Sequence, residues 1–198
     1  GKCPPPIPLI LSVGRMVEKK GFTFLVEACR LLKDRGCEFE CRIVGGTDQH
    51  AETIRQTIER LNLADTVTLH TAVTQEELRG IYEQATIFAL PCQVTENGDR
   101  DGIPNVLVEA MAMKLPVIST DISGIPELIT HRANGLLVPQ KDSAALANAM
   151  EELLRDPELR SNLAIAAREK VCRDFDAGQN ILALKALFDS QTDDIAVD

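Results

Sequence analysis

No apolar run in this chain approaches the roughly 20 residues needed to cross a bilayer, and its start, "GKCPPPIP", lacks the apolar core of a secretory signal. A soluble, cytoplasmic protein is expected. Basic charge is short as well: 21 Lys and Arg stand against 30 Asp and Glu, a net charge of -9. That balance argues against a nucleic-acid partner, because proteins that grip a phosphate backbone present a basic face. A local basic pocket within an acidic surface stays open. The six cysteines, at 3, 29, 37, 41, 92 and 172, include no Cys-x-x-Cys pair, and several sit inside apolar runs. They are expected as buried free thiols of a reducing compartment rather than as disulfides or metal ligands. His50, His70 and His131 are scattered, and no Ser/His/Asp or Cys/His spacing suggests a nucleophilic site. There is no internal repeat.

What is present is an alternation. With 198 residues, 44% of them apolar, one large domain is the starting assumption. "LILSVG" (9–14), "CRIVGG" (41–46), "VTLHT" (67–71), "TIFALP" (86–91), "PVIST" (116–120) and "GLLVP" (135–139) have strand length and end in Gly, Pro or a polar residue. Their near-continuous apolar character predicts strands covered on both faces. Between them lie helical patterns over 22–36, 50–63, 75–85 and 103–113, and two more over 141–156 and 157–175, with Pro157 opening the last. A further amphipathic helix is expected over 176–190. The domain should thus run from 9 to 190, after a Pro-rich linker (1–8) left from a longer protein and before an acidic flexible tail (191–198). The fold class is α/β: a Rossmann-like open parallel sheet of six strands with helices on both faces.

Such sheets bind ligands beyond the carboxyl ends of their strands. "GRMVEKKG" (14–21) follows the first strand and brings Arg15 and Lys20 to that edge, two cations where an anion would dock. It lacks the G-x-G-x-x-G of a dinucleotide site, which removes nicotinamide and flavin dehydrogenases, and no cofactor is expected. Gly45, in the pair after the second strand, permits close backbone approach. The richest stretch is "LPCQVTENGDRDGIPNVLVEA" (90–110): a long polar loop, then a helix expected to begin near Ile103 or Pro104. Free N–H groups around Asn105, Val106 and Leu107 would face outward at the positive end of that helix and could hold a phosphate, whereas Pro104 donates nothing. Asp101 precedes the helix and Glu109 lies nearly two turns in, so the two acids do not adjoin on one helical face. They could grip separate hydroxyls of one extended ligand; as ordinary structure they would be a helix-dipole partner and a solvated position. Asp99-Arg100-Asp101 is a D-x-D, but no further carboxylate or His is placed beside it as a ligand, and no metal is expected.

In order, "SVGRMVEKKG", "IVGG", "YEQATIFALPC", "DGIPNVLVEAMAMKLPVIST", "SGIPELI" and "NGLLVP" resemble the nucleotide-sugar-binding C-terminal domain of family-4 (group 1) retaining glycosyltransferases of the two-domain B type. The resemblance runs from about residue 9 to 155, and "GDRDGIPNVLVEAMA" is most like bacterial exopolysaccharide enzymes such as those of colanic acid synthesis. It implies that Arg15 and Lys20 bind the diphosphate and stabilise it as it leaves. It also implies that Asp101 holds the donor sugar, Glu109 the ribose hydroxyls, and the residues from Gly102 and Ile103 through Leu107 the sugar and phosphate. Val73 would lie near the base. Two positions depart from the family: its first acid is usually Glu where Asp101 stands, and the place of Pro104 is often Gly. The family's N-terminal acceptor-binding half has no counterpart in this stretch.

The implied activity is metal-independent transfer of a hexose from a nucleoside diphosphate, UDP-glucose or a related UDP-hexose first, to a glycan or lipid-linked acceptor. The full-length enzyme would associate peripherally with the inner face of the membrane. Two alternatives of other classes remain, a stand-alone nucleotide-sugar-binding module without transfer and a UDP-sugar epimerase relative; the spacing of Asp101 and Glu109 weighs against the second.

Overall fold

The computed structural model describes residues 7–175. Six strands, β1 (Leu9–Val13), β2 (Glu40–Val44), β3 (Val67–His70), β4 (Ile87–Leu90), β5 (Val117–Thr120) and β6 (Leu136–Val138), form one sheet in the order β3-β2-β1-β4-β5-β6. Every neighbouring pair is parallel. Each strand stands within a residue or so of where its apolar run predicts it. All residues of β1, β4 and β5 are buried, which a parallel sheet achieves only when both faces are covered. β3, at one edge, is the polar exception.

The helices are α1 (Phe22–Asp34), α2 (Ala51–Arg60), α3 (Gln75–Gln84), α4 (Asn105–Ala112), α5 (Ile125–Leu128), α6 (Ser143–Arg155) and α7 (Pro157–Asp174). α1 packs with α2 and α6, α4 packs with α7, and both groups reach β4. α1 buries Phe22, Leu25, Val26, Cys29 and Leu32, the helical spacing of one apolar stripe. At roughly 2 kcal/mol for each fully buried large aliphatic side chain, that stripe fixes the helix more firmly than its intrinsic propensity does. Local signals set the boundaries. Thr74 and Glu77 form a reciprocal capping box at α3, and the Asp142 and Asp156 side chains accept amide protons at the starts of α6 and α7.

Two short elements escaped the periodicity: a 3-10 turn over Glu18–Lys20 and the four-residue α5. α4 also begins later than expected. Pro104 is its cap, with ψ 124° in the extended region, and Asn105 is its first residue. The expected helix over 176–190, the tail and most of the linker lie outside the described residues. Among the described residues no helix is long and apolar enough to cross a membrane.

The sheet order places the site. Chain direction across the sheet reverses at β1 and β4, which are neighbours although their following loops run to opposite sides. A crevice therefore opens at their carboxyl ends, between residues 14–21 and residues 91–104.

Candidate functional site

One wall of the crevice is the loop after β1. Its 3-10 turn ends at Gly21, whose φ of 68° is left-handed, and a Cβ there would lie 1.9 Å from the Pro91 carbonyl oxygen. Only glycine satisfies both demands, so the turn sits hard against the end of β4. Gly45 plays a similar part: a Cβ on it would stand 1.9 Å from the Gly14 carbonyl oxygen. The Gly45 amide donates to His70 O at 3.0 Å, so this residue supports the loop by close packing, with its own donor committed.

The other wall is the segment before α4, held in place by polar staples. The Gln93 amide donates to Lys19 O at 2.9 Å and its side chain to Glu18 O at 2.7 Å. The buried Thr120 hydroxyl donates to Cys92 O at 2.6 Å, and the Val94 amide to the Gln140 side chain at 2.8 Å. Such cross-links fix a loop before any ligand arrives, which is the condition for electrostatic preorganisation.

Between the walls lies a cavity of about 360 Å³, with Gly14, Arg15 and Lys20 on one side and residues 101–106 on the other. The Lys20 ammonium is 2.8 Å from Asp101 Oδ2, and both side chains are largely buried. Lys19, which the sequence reading passed over, sits 3.0 Å from Asp99 and 3.6 Å from Asp101. Its hydrogen bond to Asp99 and the nearby Asp101 charge hold the Lys19 ammonium above its ordinary range. Arg15 is different: its side chain is 70% exposed and its ion pair to Asp48 spans 3.9 Å, so it is loosely held over the cavity mouth. The Cys92 thiol stands 4.0 Å from Asp101 Oδ2, and burial pushes it up to about 12. It is a neutral, fully buried neighbour of Asp101 rather than a nucleophile.

At the start of α4 the first-turn amides of Asn105 and Val106 lack intrahelical acceptors, as every helix start requires. Leu107 does not belong with them, because its amide donates to Pro104 O at 3.0 Å and its side chain is buried. The expected trio of phosphate donors is reduced to two by the Pro104 cap.

Glu109 faces a second cavity, also about 360 Å³, between α3 and α4, lined with Gln75, Leu78, Arg79, Tyr82, Ala112 and Met113. The Tyr82 hydroxyl is 3.2 Å from Glu109 Oε2. The two acids thus open on separate hollows, as the helical geometry required. Val73, 36% exposed in the loop after β3, lines neither hollow.

Among the described residues no group of three or more His, Cys, Asp or Glu is gathered as metal ligands would be. His131 accepts the Leu137 amide through Nδ1 and His70 pairs with Thr68, both structural uses. Cys29, Cys41 and Cys92 are buried free thiols as expected; Cys37 is half-buried, and Cys172 breaks the expectation by lying exposed on α7. Cys3 lies outside the described residues.

Residues 4–170 match the family model described as glycosyl transferases group 1. The chain belongs to this family. It is 43% identical over 166 residues to an amylovoran biosynthesis glycosyltransferase of Erwinia amylovora, covering 84% of this chain and 40% of that protein. A putative colanic acid biosynthesis glycosyltransferase of Salmonella typhimurium is 40% identical over 173 residues, covering 86% and 42% respectively. The chain thus spans about two fifths of the length of these relatives. Among solved structures, Anabaena HepE in complex with UDP-glucose superposes with a TM-score of 0.82 at 21% identity, over 93% of this chain and 49% of that one. That likeness establishes the fold, the Rossmann-like half of a B-type glycosyltransferase, and the group 1 match agrees with it.

Proposed function

We propose that this chain is the donor-binding domain of a retaining hexosyltransferase of surface polysaccharide assembly, and that its donor is a nucleoside diphosphate sugar, UDP-glucose or a related UDP-hexose first. The observation that carries the reading is the Lys20–Asp101 pair at 2.8 Å, set beside Arg15 and the open first turn of α4. The names of the two exopolysaccharide relatives and the UDP-glucose bound to the HepE fold support it.

In this reading the diphosphate enters the crevice and takes the Lys20 ammonium from Asp101. The freed carboxylate, still steered by Lys19, turns to the hydroxyls of the sugar. Arg15 closes over the phosphates from the mouth, and the Asn105 and Val106 amides complete the anion site. The hard event is rupture of the anomeric C–O bond while negative charge grows on the departing diphosphate. Fixed cations and helix amides neutralise that charge without a metal, and their benefit is largest at the transition state, where the charge is greatest. Glu109, across the first turn of α4, accepts hydrogen bonds from the ribose hydroxyls, with Val73 near the base. The acceptor, a glycan or a lipid-linked intermediate, would be bound by a second domain, in an enzyme working at the cytoplasmic face of the membrane.

Calorimetric titration with UDP, UDP-glucose, GDP-mannose and ADP-glucose, with and without magnesium, tests this. Binding confined to one base and indifferent to magnesium is the expected result. Absence of binding to every nucleotide, or binding only with the metal, would contradict it.

A further inference from the structure

We infer that Tyr82 is a positioning residue for the donor nucleotide: its hydroxyl holds the Glu109 carboxylate in the orientation that receives the ribose hydroxyls, without touching the nucleotide. The inference rests on the ribose assignment of Glu109 made above and goes beyond it.

Glu109 lies on the exposed side of α4, where a Glu side chain has several rotamers and no packing to choose among them. A carboxylate that must meet two vicinal hydroxyls needs one of those rotamers selected beforehand, or binding bears the ordering cost. Tyr82 supplies the selection. It is the only tyrosine in the sequence, the residue is 3% exposed, and its ring packs at a tilt against Phe88 with centroids 5.9 Å apart. The buried ring cannot move without disturbing β4, so the hydroxyl is a fixed point in the groove between α3 and α4.

That hydroxyl has a single proton and two acceptors in reach, Glu109 Oε2 at 3.2 Å and Val106 O at 3.5 Å. The nearer acceptor is also the charged one, and charge-assisted hydrogen bonds are roughly twice as strong as neutral ones. The proton therefore goes to Glu109. One carboxylate oxygen is thereby anchored, leaving the other for ligand. Burial first, and the Glu109 charge second, raise the phenol above its ordinary range, so it remains a donor throughout the working pH range. A purely structural ring would have no need of the hydroxyl, because phenylalanine fills the same space.

Tyr82→Phe isolates the hydroxyl. UDP, 2′-deoxy-UDP and inorganic pyrophosphate are titrated into the wild-type chain, Tyr82→Phe, Glu109→Gln and the double variant. The expected result is a roughly fivefold loss of UDP affinity in Tyr82→Phe, unchanged pyrophosphate affinity, and a smaller preference for UDP over 2′-deoxy-UDP. In the Glu109→Gln background the Phe substitution should add nothing. If Tyr82→Phe binds UDP like wild type while Glu109→Gln is weakened, the inference is overturned and the ribose assignment stands. If Glu109→Gln itself binds UDP normally, the ribose assignment fails. Equal losses of UDP and pyrophosphate in Tyr82→Phe, together with a lowered Tm, would assign the hydroxyl a structural role and overturn the inference.

Discussion

Lys20 and Asp101 occupy each other, and that mutual occupation is the main constraint on how the proposed site would work. An ammonium 2.8 Å from a carboxylate, with both side chains mostly buried, is not free to meet a phosphate until the carboxylate has another partner. Lys19, 3.6 Å from the same carboxylate, provides one. Removing Lys20 should therefore cost more than removing Arg15, whose exposed side chain can be replaced in part by water and salt. If the proposed transfer reaction is correct, Lys20→Ala in an active enzyme that contains this domain is expected to lower kcat/KM on the order of a hundredfold, about 3 kcal/mol of transition-state stabilisation. Arg15→Ala should lower it by less, and steady-state kinetics with saturating acceptor separates the two. That Arg15, Lys20 and Asp101 meet at one crevice was legible because loops at the carboxyl edge of a parallel sheet converge there, whereas Glu109, on α4, lines a different hollow. Lys19 and Tyr82 were not legible. Lys19 reaches the site only because a three-residue 3-10 turn aims adjacent lysines into one crevice, and Tyr82 only because α3 lies beside α4. Neither fact has a periodicity to show it.

At the level of elements, apolar run length and Gly or Pro punctuation located all six strands, since buried parallel strands must be apolar throughout and must end abruptly. The short elements were missed because one turn of helix has no period. The start of α4 was displaced because Pro fits both a helix cap and a first turn, and only the backbone angle distinguishes them. The contact between Gly14 and Gly45 gives an element-scale prediction. Gly45→Ala would drive a methyl group into the Gly14 carbonyl, now 1.9 Å from where the Cβ would stand, and so push the ends of β1 and β2 apart. Destabilisation of about 1–3 kcal/mol is expected from chemical denaturation, with weaker pyrophosphate binding because Arg15 and Lys20 ride on that strand end. An alanine variant of wild-type stability and affinity would show that the approach is not required.

For the molecule as a whole, the two helical layers bury several acidic protons. Burial raises Tyr82 and raises Cys92 to about 12, and the buried Cys29 thiol is raised by its hydrogen bond to Cys41 and by desolvation. Each of these groups loses its proton more readily in the unfolded chain than in the folded one. The folded state thus binds more protons at high pH, so this stability is intact below the ordinary thiol value of 9.0 and is lost as pH rises toward 12. Denaturation at pH 7 and pH 10.5 should differ by about 2 kcal/mol from Cys92 alone, and Cys92→Ser should narrow that difference. A stability flat across this range would contradict the burial of these groups. The parallel order, the six strands and the layering were legible in the sequence, whereas the position of β1 between β2 and β4 was not, since alternation alone does not state strand order.

The most direct measurement compares UDP with UDP-glucose on two variants. If Asp101 meets the sugar and Glu109 the ribose of one ligand, Glu109→Gln weakens both ligands by roughly tenfold and leaves their affinity ratio unchanged. Asp101→Asn should bind UDP as well as wild type or better, since Lys20 is released from its partner, while the relative affinity for UDP-glucose falls by about tenfold. Equal losses of both ligands in Asp101→Asn, or no loss in Glu109→Gln, would contradict the assignment of the two acids to the two ends of one nucleotide sugar.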